Sequence, residues 1–339
     1  MSRELDRSPD SPLEASSVEG PPPRSARRRA KERRHRWQLI GALCVLVLAG
    51  AAGEAIRIGT ANPVRSSGLQ TKGKGVRKST STSTTSSTIV AATQHESPGD
   101  GDLFDTPDVA AYMSGTAEDV TAAVYDDVTG VTSIFRPGVA QDTASIVKVD
   151  ILATLLSQGQ AQGHALSPAD QPIAVDMIEQ SDNDDAQDLW ESEGGATAVG
   201  AFDTAAGLAQ TAPNTAGYWG LTTTTAADQV QLLRTVAYPS AVLTPSSQAY
   251  ELGLMEHVEA DQSWGVSAGV AAGSTIALKN GWLPLDAGGW QVNSIGYIDG
   301  DGRDYVIAVL TDDDTEANGI NFIQGLSGLI WQTLAPSTS

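Results

Sequence analysis

Cysteine is almost absent from this chain of 339 residues: Cys44 is the single one, so no disulfide can form within it. Histidine is scarce as well. Only His164 and His257 fall beyond residue 104, and neither has the ligand spacing of a zinc centre. Positive charge is missing from most of the length, since residues 105 to 339 hold five Lys/Arg against thirty-one Asp/Glu, a formal net charge of −26. A surface of that sign opposes binding to nucleic acid and to anionic lipid. Acidic runs such as Asp312-Asp313-Asp314 lack metal-loop spacing and are read as solubilising charge. Neither a metal nor an organic cofactor is expected.

What is present is segregated along the chain. Residues 1 to 36 carry ten Lys/Arg and six Asp/Glu, with Pro21-Pro22-Pro23 and few apolar side chains, which predicts a disordered basic tail. Leu39 to Gly53 is a run of fifteen small and apolar residues behind a flank of Arg27, Arg28, Arg29, Lys31, Arg33, Arg34 and Arg36. Extended over 37–56 it approaches the ~20 residues of a membrane span, and its basic flank keeps the N-terminus cytoplasmic. The expected organisation is a single-pass signal anchor with the remaining chain outside the cell. Ala49-Gly50-Ala51 keeps open a cleaved signal peptide and a secreted protein. Cys44 follows Leu43, which does not fit a lipoprotein acylation site. Residues 57–104, with the Ser/Thr tract Ser79 to Thr88, read as a solvated linker to a folded domain over 105–336.

Within that domain, Val120 to Tyr125 and Val131 to Phe135 are short β-rich runs separated by a turn sequence, a hairpin pattern. Gly138 to Thr143 reads as a polar loop. From Ala144 the apolar positions Ile146, Val149, Ile151, Leu152, Leu155 and Leu156 have helical spacing. Residues 165 to 235 read as a helical layer, broken at Glu193-Gly194-Gly195 and around Pro213 to Gly220. Strand signals return at Thr275 to Leu278, Trp290 to Ile298 and Tyr305 to Thr311, and an amphipathic helix closes the chain from Ile320 to Leu334. The order predicts an α+β fold: an antiparallel sheet flanked by helices, joining the first hairpin to the last three strands, with a helical subdomain inserted between.

Three polar motifs lie on this framework: Ser145-Ile-Val-Lys148, Ser181-Asp182-Asn183 and Lys279-Asn280-Gly281. One helical turn separates Ser145 from Lys148, so an amine can reach the hydroxyl it would deprotonate. Such a lysine must be neutral, a state that burial and a second cation such as Lys279 favour. Taken singly, Ser-Asp-Asn is also a turn or helix cap, and Lys-Asn-Gly a strand end.

In order and surroundings the motifs match the Ser-x-x-Lys, Ser-Asp-Asn, Lys-Thr-Gly set. Residues from about Leu103 to Leu334 resemble the catalytic domain of class A β-lactamases and related penicillin-binding serine enzymes. Leu221 to Asp228 is similar to the family's Thr-rich helix start, and Val292 to Ile298 to its penultimate strand. The resemblance implies the β-lactamase/transpeptidase-like fold, with Ser145 as acylated nucleophile, Lys148 as base, Ser181 as proton relay and Lys279 as electrostatic anchor. It also implies substrate contacts from Asn183, Asn280, Gly281 and Trp282, and an oxyanion hole from the amides of Ser145 and Trp282.

Three departures qualify that resemblance. No Glu occurs between Glu193 and Glu251, where class A enzymes keep a deacylating glutamate in a Glu-x-x-x-Asn loop. Without a base to activate water an acyl-enzyme should persist, because general base catalysis contributes about 100- to 10,000-fold. The interval between Ser145 and Ser181 is short, which predicts an open cleft. Asn280 replaces a hydroxyl that helps hold the substrate carboxylate in the family, and its amide still offers a donor. The reading is an extracytoplasmic serine hydrolase acting on a small-molecule or cell-wall peptide substrate, an amide, ester or β-lactam. A penicillin-binding D,D-peptidase-like protein and a non-catalytic cell-wall binding module remain as alternatives.

Overall fold

The computed structural model describes residues 102–334, apart from 118, 286–287 and 314. The expected tail (1–36), anchor (37–56) and all but the last residues of the linker (57–104) lie outside the described residues. Among the described residues no helix is long and apolar enough to cross a membrane.

A five-stranded sheet in the order β2-β1-β7-β6-β5 forms the centre. Its strands are β1 (Thr121–Asp126), β2 (Val131–Phe135), β5 (Thr275–Pro284), β6 (Trp290–Gly300) and β7 (Arg303–Asp313), and every neighbouring pair is antiparallel. The first hairpin and the last three strands therefore do come together, as the order of signals predicts. Strand β5 continues past Leu278 to Pro284, so all of Lys279-Asn280-Gly281 is inside a strand and not at its end. A second, two-stranded sheet pairs β3 (Gln141–Asp142) with β4 (Thr223–Thr224). The segment expected to be loop is thus anchored just before Ser145.

Side chains alternate across the sheet and supply two cores. Ala123, Ile295, Ala308 and Leu310 face the inserted helices, meeting Ile151 and Leu152 of the helix Val147–Ala161. Val124, Ile307 and Val309 face the other way, onto Ile323, Leu326 and Ile330 of the closing helix Glu316–Thr333. Burying each such branched side chain is worth about 1.5–3 kcal/mol. The closing helix begins four residues before Ile320 because Thr315 caps it, its side chain accepting from Asn318 N–H.

The helical layer contains Gln171–Glu179, Asn183–Glu193, Gly195–Ala206 and Ala226–Ala237. The break at Gly194 is a left-handed cap, φ 108°, a conformation glycine adopts without a Cβ clash. Two helices, Pro107–Met113 and Pro245–Met255, were not apparent from apolar periodicity. Each starts with proline at its first position, behind Thr106 and Thr244, and that punctuation is their legible signal.

Candidate active site

Ser145 lies in a 3-10 turn, Ala144–Ile146, that leads into the helix Val147–Ala161. Ala144 takes φ 48°, a left-handed conformation that costs an alanine about 1–2 kcal/mol. Several contacts fix the turn. Asn293 on β6 donates from Nδ2 to the carbonyls of Asp142 (2.9 Å) and Thr143 (3.0 Å), and Thr143 N–H donates to Thr222 O (2.8 Å). Gln291 Nε2 donates to Gln141 Oε1 (2.5 Å).

Gly281 sits opposite Asn293 in the β5–β6 register, directly under the turn. A Cβ added there would lie 2.6 Å from Ser145 N, 2.8 Å from Ile146 N and 2.9 Å from Thr143 O, all backbone atoms that cannot swing aside. Glycine at 281 is therefore what lets the Ser145 turn rest on the sheet. Gly281→Ala is expected to slow acylation at least about 100-fold, the scale of a 1 Å misplacement of reacting groups. Comparing covalent labelling rates of the variant and the parent checks this.

Lys148 is fully buried, and its Nζ lies 2.7 Å from Ser181 O, 3.0 Å from Ser181 Oγ and 2.8 Å from Asn183 Oδ1. The first and second motifs thus meet at one amine. Neutral, that amine has two hydrogens for Ser181 O and Asn183 Oδ1, and one lone pair left for a hydroxyl proton.

The connection that places Ser181 is two helices joined through Gln180, Ser181 and Asp182. Asp182 N–H donates back to Asp176 O (3.1 Å), closing the helix Gln171–Glu179, with Ser181 at φ 55° in the left-handed position where glycine is usual. Asp182 then caps the next helix, Oδ1 accepting from Asp184 N–H (2.8 Å) and Asp185 N–H (3.0 Å). The motif is at once a helix cap and a side-chain platform. Ser181 carries backbone strain at the point where chemistry would use it.

Lys279 shares the parity of Gly281 on β5 and is fully buried. Burial lowers its amine to about 7. Its Nζ approaches Asn280 O at 3.4 Å.

Asn280 and Trp282 do not turn their side chains toward the Ser145 face, where side-chain contacts with substrate were expected; the oxyanion role expected of the Trp282 amide is a backbone one and does not depend on that orientation. Alternation turns both to the far face of the sheet. There Asn280, 1% exposed, donates from Nδ2 to Gln262 O (2.7 Å) and Trp264 O (3.1 Å), pinning the loop before β5. The Trp282 ring packs against Trp264 with centroids 5.7 Å apart.

Two features of the site belong to none of the three motifs. The short segment without glutamate, after Thr211, ends in a 3-10 turn Trp219–Leu221, and Lys148 Nζ lies 4.9 Å from the Trp219 ring centroid. An indole therefore covers the amine beside Ser181. A Tyr-Trp pair flanked by Gly217 and Gly220 was the available signal. Behind the same helix, Asp150 and Asp203 are buried against one another, with Glu193 and Glu251 buried nearby. Desolvation, then the Asp203 carboxyl, pushes Asp150 well up; burial carries Asp203 to about 7 and Glu193 to about 10. No group of three or more His, Cys, Asp or Glu among the described residues is placed to hold a metal ion. An acidic residue two positions after Lys148, inside an apolar helical run, was legible as an anomaly.

Residues 171–334 match the model of a family described as the beta-lactamase enzyme family, a stretch that includes Ser181 and Lys279 and begins after Lys148. "Putative lipoprotein LppW" of Mycobacterium tuberculosis, and its Mycobacterium bovis counterpart, are 28% identical over 214 residues, covering 60% of this chain. The chain spans 65% of the length of these relatives. Among solved structures, the TLA-3 extended-spectrum beta-lactamase superposes with TM-score 0.60 at 17% identity, covering 66% of this chain and 96% of that one. PBP-A gives TM-score 0.54 at 21% identity, covering 63% and 88%. A class A beta-lactamase from Bacteroides cellulosilyticus gives 0.58 at 17%, covering 67% and 95%. The expected fold and the likeness to the β-lactamase-like superfamily both hold.

Proposed function

From a β-lactamase-like domain that brings Lys148, Ser181 and Asn183 together beside the Ser145 turn, we propose that this chain is an extracytoplasmic serine acyl hydrolase or transferase that forms a long-lived acyl-enzyme. The observation that carries the reading is the buried Lys148 amine, within hydrogen-bonding distance of Ser181 Oγ and one helical turn from Ser145. Ser145 Oγ adds to an amide, ester or β-lactam carbonyl as its proton passes to Lys148. The proton continues through Ser181 to the departing nitrogen or oxygen, the old acyl bond breaks, and an ester to Ser145 remains. Water or an acceptor amine then takes the acyl group and returns a hydrogen to Ser145. The N-terminus of the helix Val147–Ala161 favours charge developing on the carbonyl oxygen.

Substrate would lie on the open side of this arrangement. Asn183 is exposed, and with its Oδ1 on Lys148 its Nδ2 can donate to a substrate carbonyl. Residue 280 no longer belongs to that surface, so anion recognition falls to Lys279. The relatives' lipoprotein name supports a membrane-attached domain outside the cell, which the apolar run at 39–53 would tether.

Lys279 sets a pH dependence. Its amine is charged below about 7 and neutral above, so labelling by an anionic penicillin should weaken as pH rises from 6 to 9. A neutral fluorophosphonate should not show that decline beyond the common requirement for a neutral base, and the ratio of the two labelling rates is the measurement. A ratio flat across this range removes Lys279 as the anion anchor.

The function is tested by incubating the protein with a fluorescent penicillin and following intact mass. The expected adduct persists, because the segment 211–221 offers an indole where the resemblance calls for a carboxylate. Rapid nitrocefin turnover without a lasting adduct would reject slow deacylation. No adduct with either probe would instead leave a binding module.

A further inference from the structure

A cleft of about 440 Å³ opens on the helical side of the sheet, lined among others by Tyr125, Asp127, Gln231, Arg234, Tyr238 and Val242. That is the size range of small-molecule sites. It is separate from the Ser145 arrangement. The sheet row Thr121, Leu310, Asn293, Gly281 crosses under Ser145, whereas the cleft adjoins the row Asp126, Tyr305, Ile298, Ile276. Five residues along each strand separate these rows, about 17 Å at ~3.4 Å per residue.

Arg234 is the informative side chain. Of the five cationic side chains beyond residue 104, Lys148 and Lys279 belong to the candidate active site. Arg136 donates to the carbonyls of Thr116, Ala117 and Val120, and Arg303 to those of Trp331 and Leu334 and to Asp301. Arg234 lies 4.0 Å from the Tyr125 ring centroid and has neither a carboxylate nor a carbonyl acceptor among the described residues. A guanidinium has five N–H donors, and beyond its contact with the Tyr125 side chain this one lines the cleft.

A simple anion is poorly matched to this site. Asp127 stands at its mouth, exposed, with Oδ1 accepting from Tyr125 OH at 3.1 Å. Asp304 accepts from Tyr238 OH at 2.8 Å, and Asp126 and Asp299 flank it. Tyr125 thus carries one charge of each sign, a guanidinium over its ring and a carboxylate on its hydroxyl. We propose that this cleft binds an α-amino-acid-like zwitterion, with its carboxylate on Arg234, its ammonium on Asp127 and its side chain against Tyr238 and Val242. Nothing in the reaction through Ser145 requires it, so it would be a second ligand site on the domain.

Calorimetric titration of the full chain with glycine, leucine and phenylalanine tests the proposal, followed by leucine methyl ester and N-acetyl-leucine. At least one amino acid should bind, with the ester and the acetylated form each at least tenfold weaker than leucine. Arg234→Gln and Asp127→Asn should each weaken binding at least tenfold, with circular dichroism reporting that the variants fold. If Arg234→Gln does not fold, Asp127→Asn decides, since Asp127 is exposed. Binding of N-acetyl-leucine as tight as that of leucine would make this an anion site and overturn the proposal. Absence of binding by all three amino acids, or full binding by a folded variant, would overturn it too.

Discussion

Ser145→Ala is expected to abolish covalent labelling by both a penicillin and a fluorophosphonate, leaving the mass of the protein unchanged after hours of incubation. No second nucleophile is poised in the arrangement: Ser181 Oγ lies against Lys148 but on a strained left-handed residue whose carbonyl is also held by that amine. Lys148→Ala should differ in kind. Ser145 would remain, so the adduct should still form, slowed about 100- to 10,000-fold by loss of the base. Equal labelling of the Lys148 variant and the parent would remove Lys148 from the chemistry. Labelling of Ser145→Ala at an unchanged rate would move the nucleophile elsewhere. Removing a fully buried lysine also leaves Ser181 O and Asn183 Oδ1 without their donor, so thermal melts must accompany the rates.

The second large effect concerns stability. Asp150, Asp203, Glu193 and Glu251 are buried without a cationic partner among the described residues, and each carboxyl is held above its ordinary range, chiefly by desolvation. Below pH ~4 folded and unfolded chains both hold these protons, and the groups impose no penalty. As pH rises toward about 7 for Asp203 and about 10 for Glu193, the unfolded chain releases protons that the folded one keeps. Stability should then fall as pH rises through this window, because the folded chain holds protons that the unfolded one has released. Thermal unfolding is expected to peak on the acid side, near pH 5, and drop steeply by pH 8. Asp203→Asn should flatten that slope and raise the melting temperature at pH 8. A melting temperature that rises from pH 5 to pH 8 would contradict the account. Self-repulsion within a domain of formal charge −26 acts in the same direction, so the Asp203 variant, and not the slope alone, isolates the buried pair.

Much of this was legible before any coordinates. The hairpin Val120 to Phe135 and the last three strands follow from alternating β-branched runs, and the Ser145 helix from its apolar spacing, because both periodicities register burial. The three motifs carried the likeness to the β-lactamase-like superfamily, and two of them converge on Lys148. Which face of β5 each residue occupies was not legible from motif order. Lys279, Asn280 and Gly281 are adjacent in sequence, yet the period of two sends Asn280 and Trp282 to the opposite core. The reason for Gly281 lay equally out of reach, since it is a backbone approach from a turn more than a hundred positions earlier. Trp219 was not legible as a site residue because it sits in a three-residue 3-10 turn, which carries no periodic signal of what it packs against.

The strand order has a consequence for how the molecule is made. Thr121 pairs with Leu310, so the middle of the sheet joins segments from opposite ends of the domain. The Ser145 turn and its helix are synthesised well before the strand bearing Gly281, and the β1–β2 hairpin waits for β7 with one edge bare. Contacts of such long sequence separation slow folding and leave unpaired edges open to aggregation. A nascent chain would expose Ser145 early but complete the arrangement around it only when nearly the whole domain has emerged, so the acylation proposed for it would wait until synthesis is almost complete.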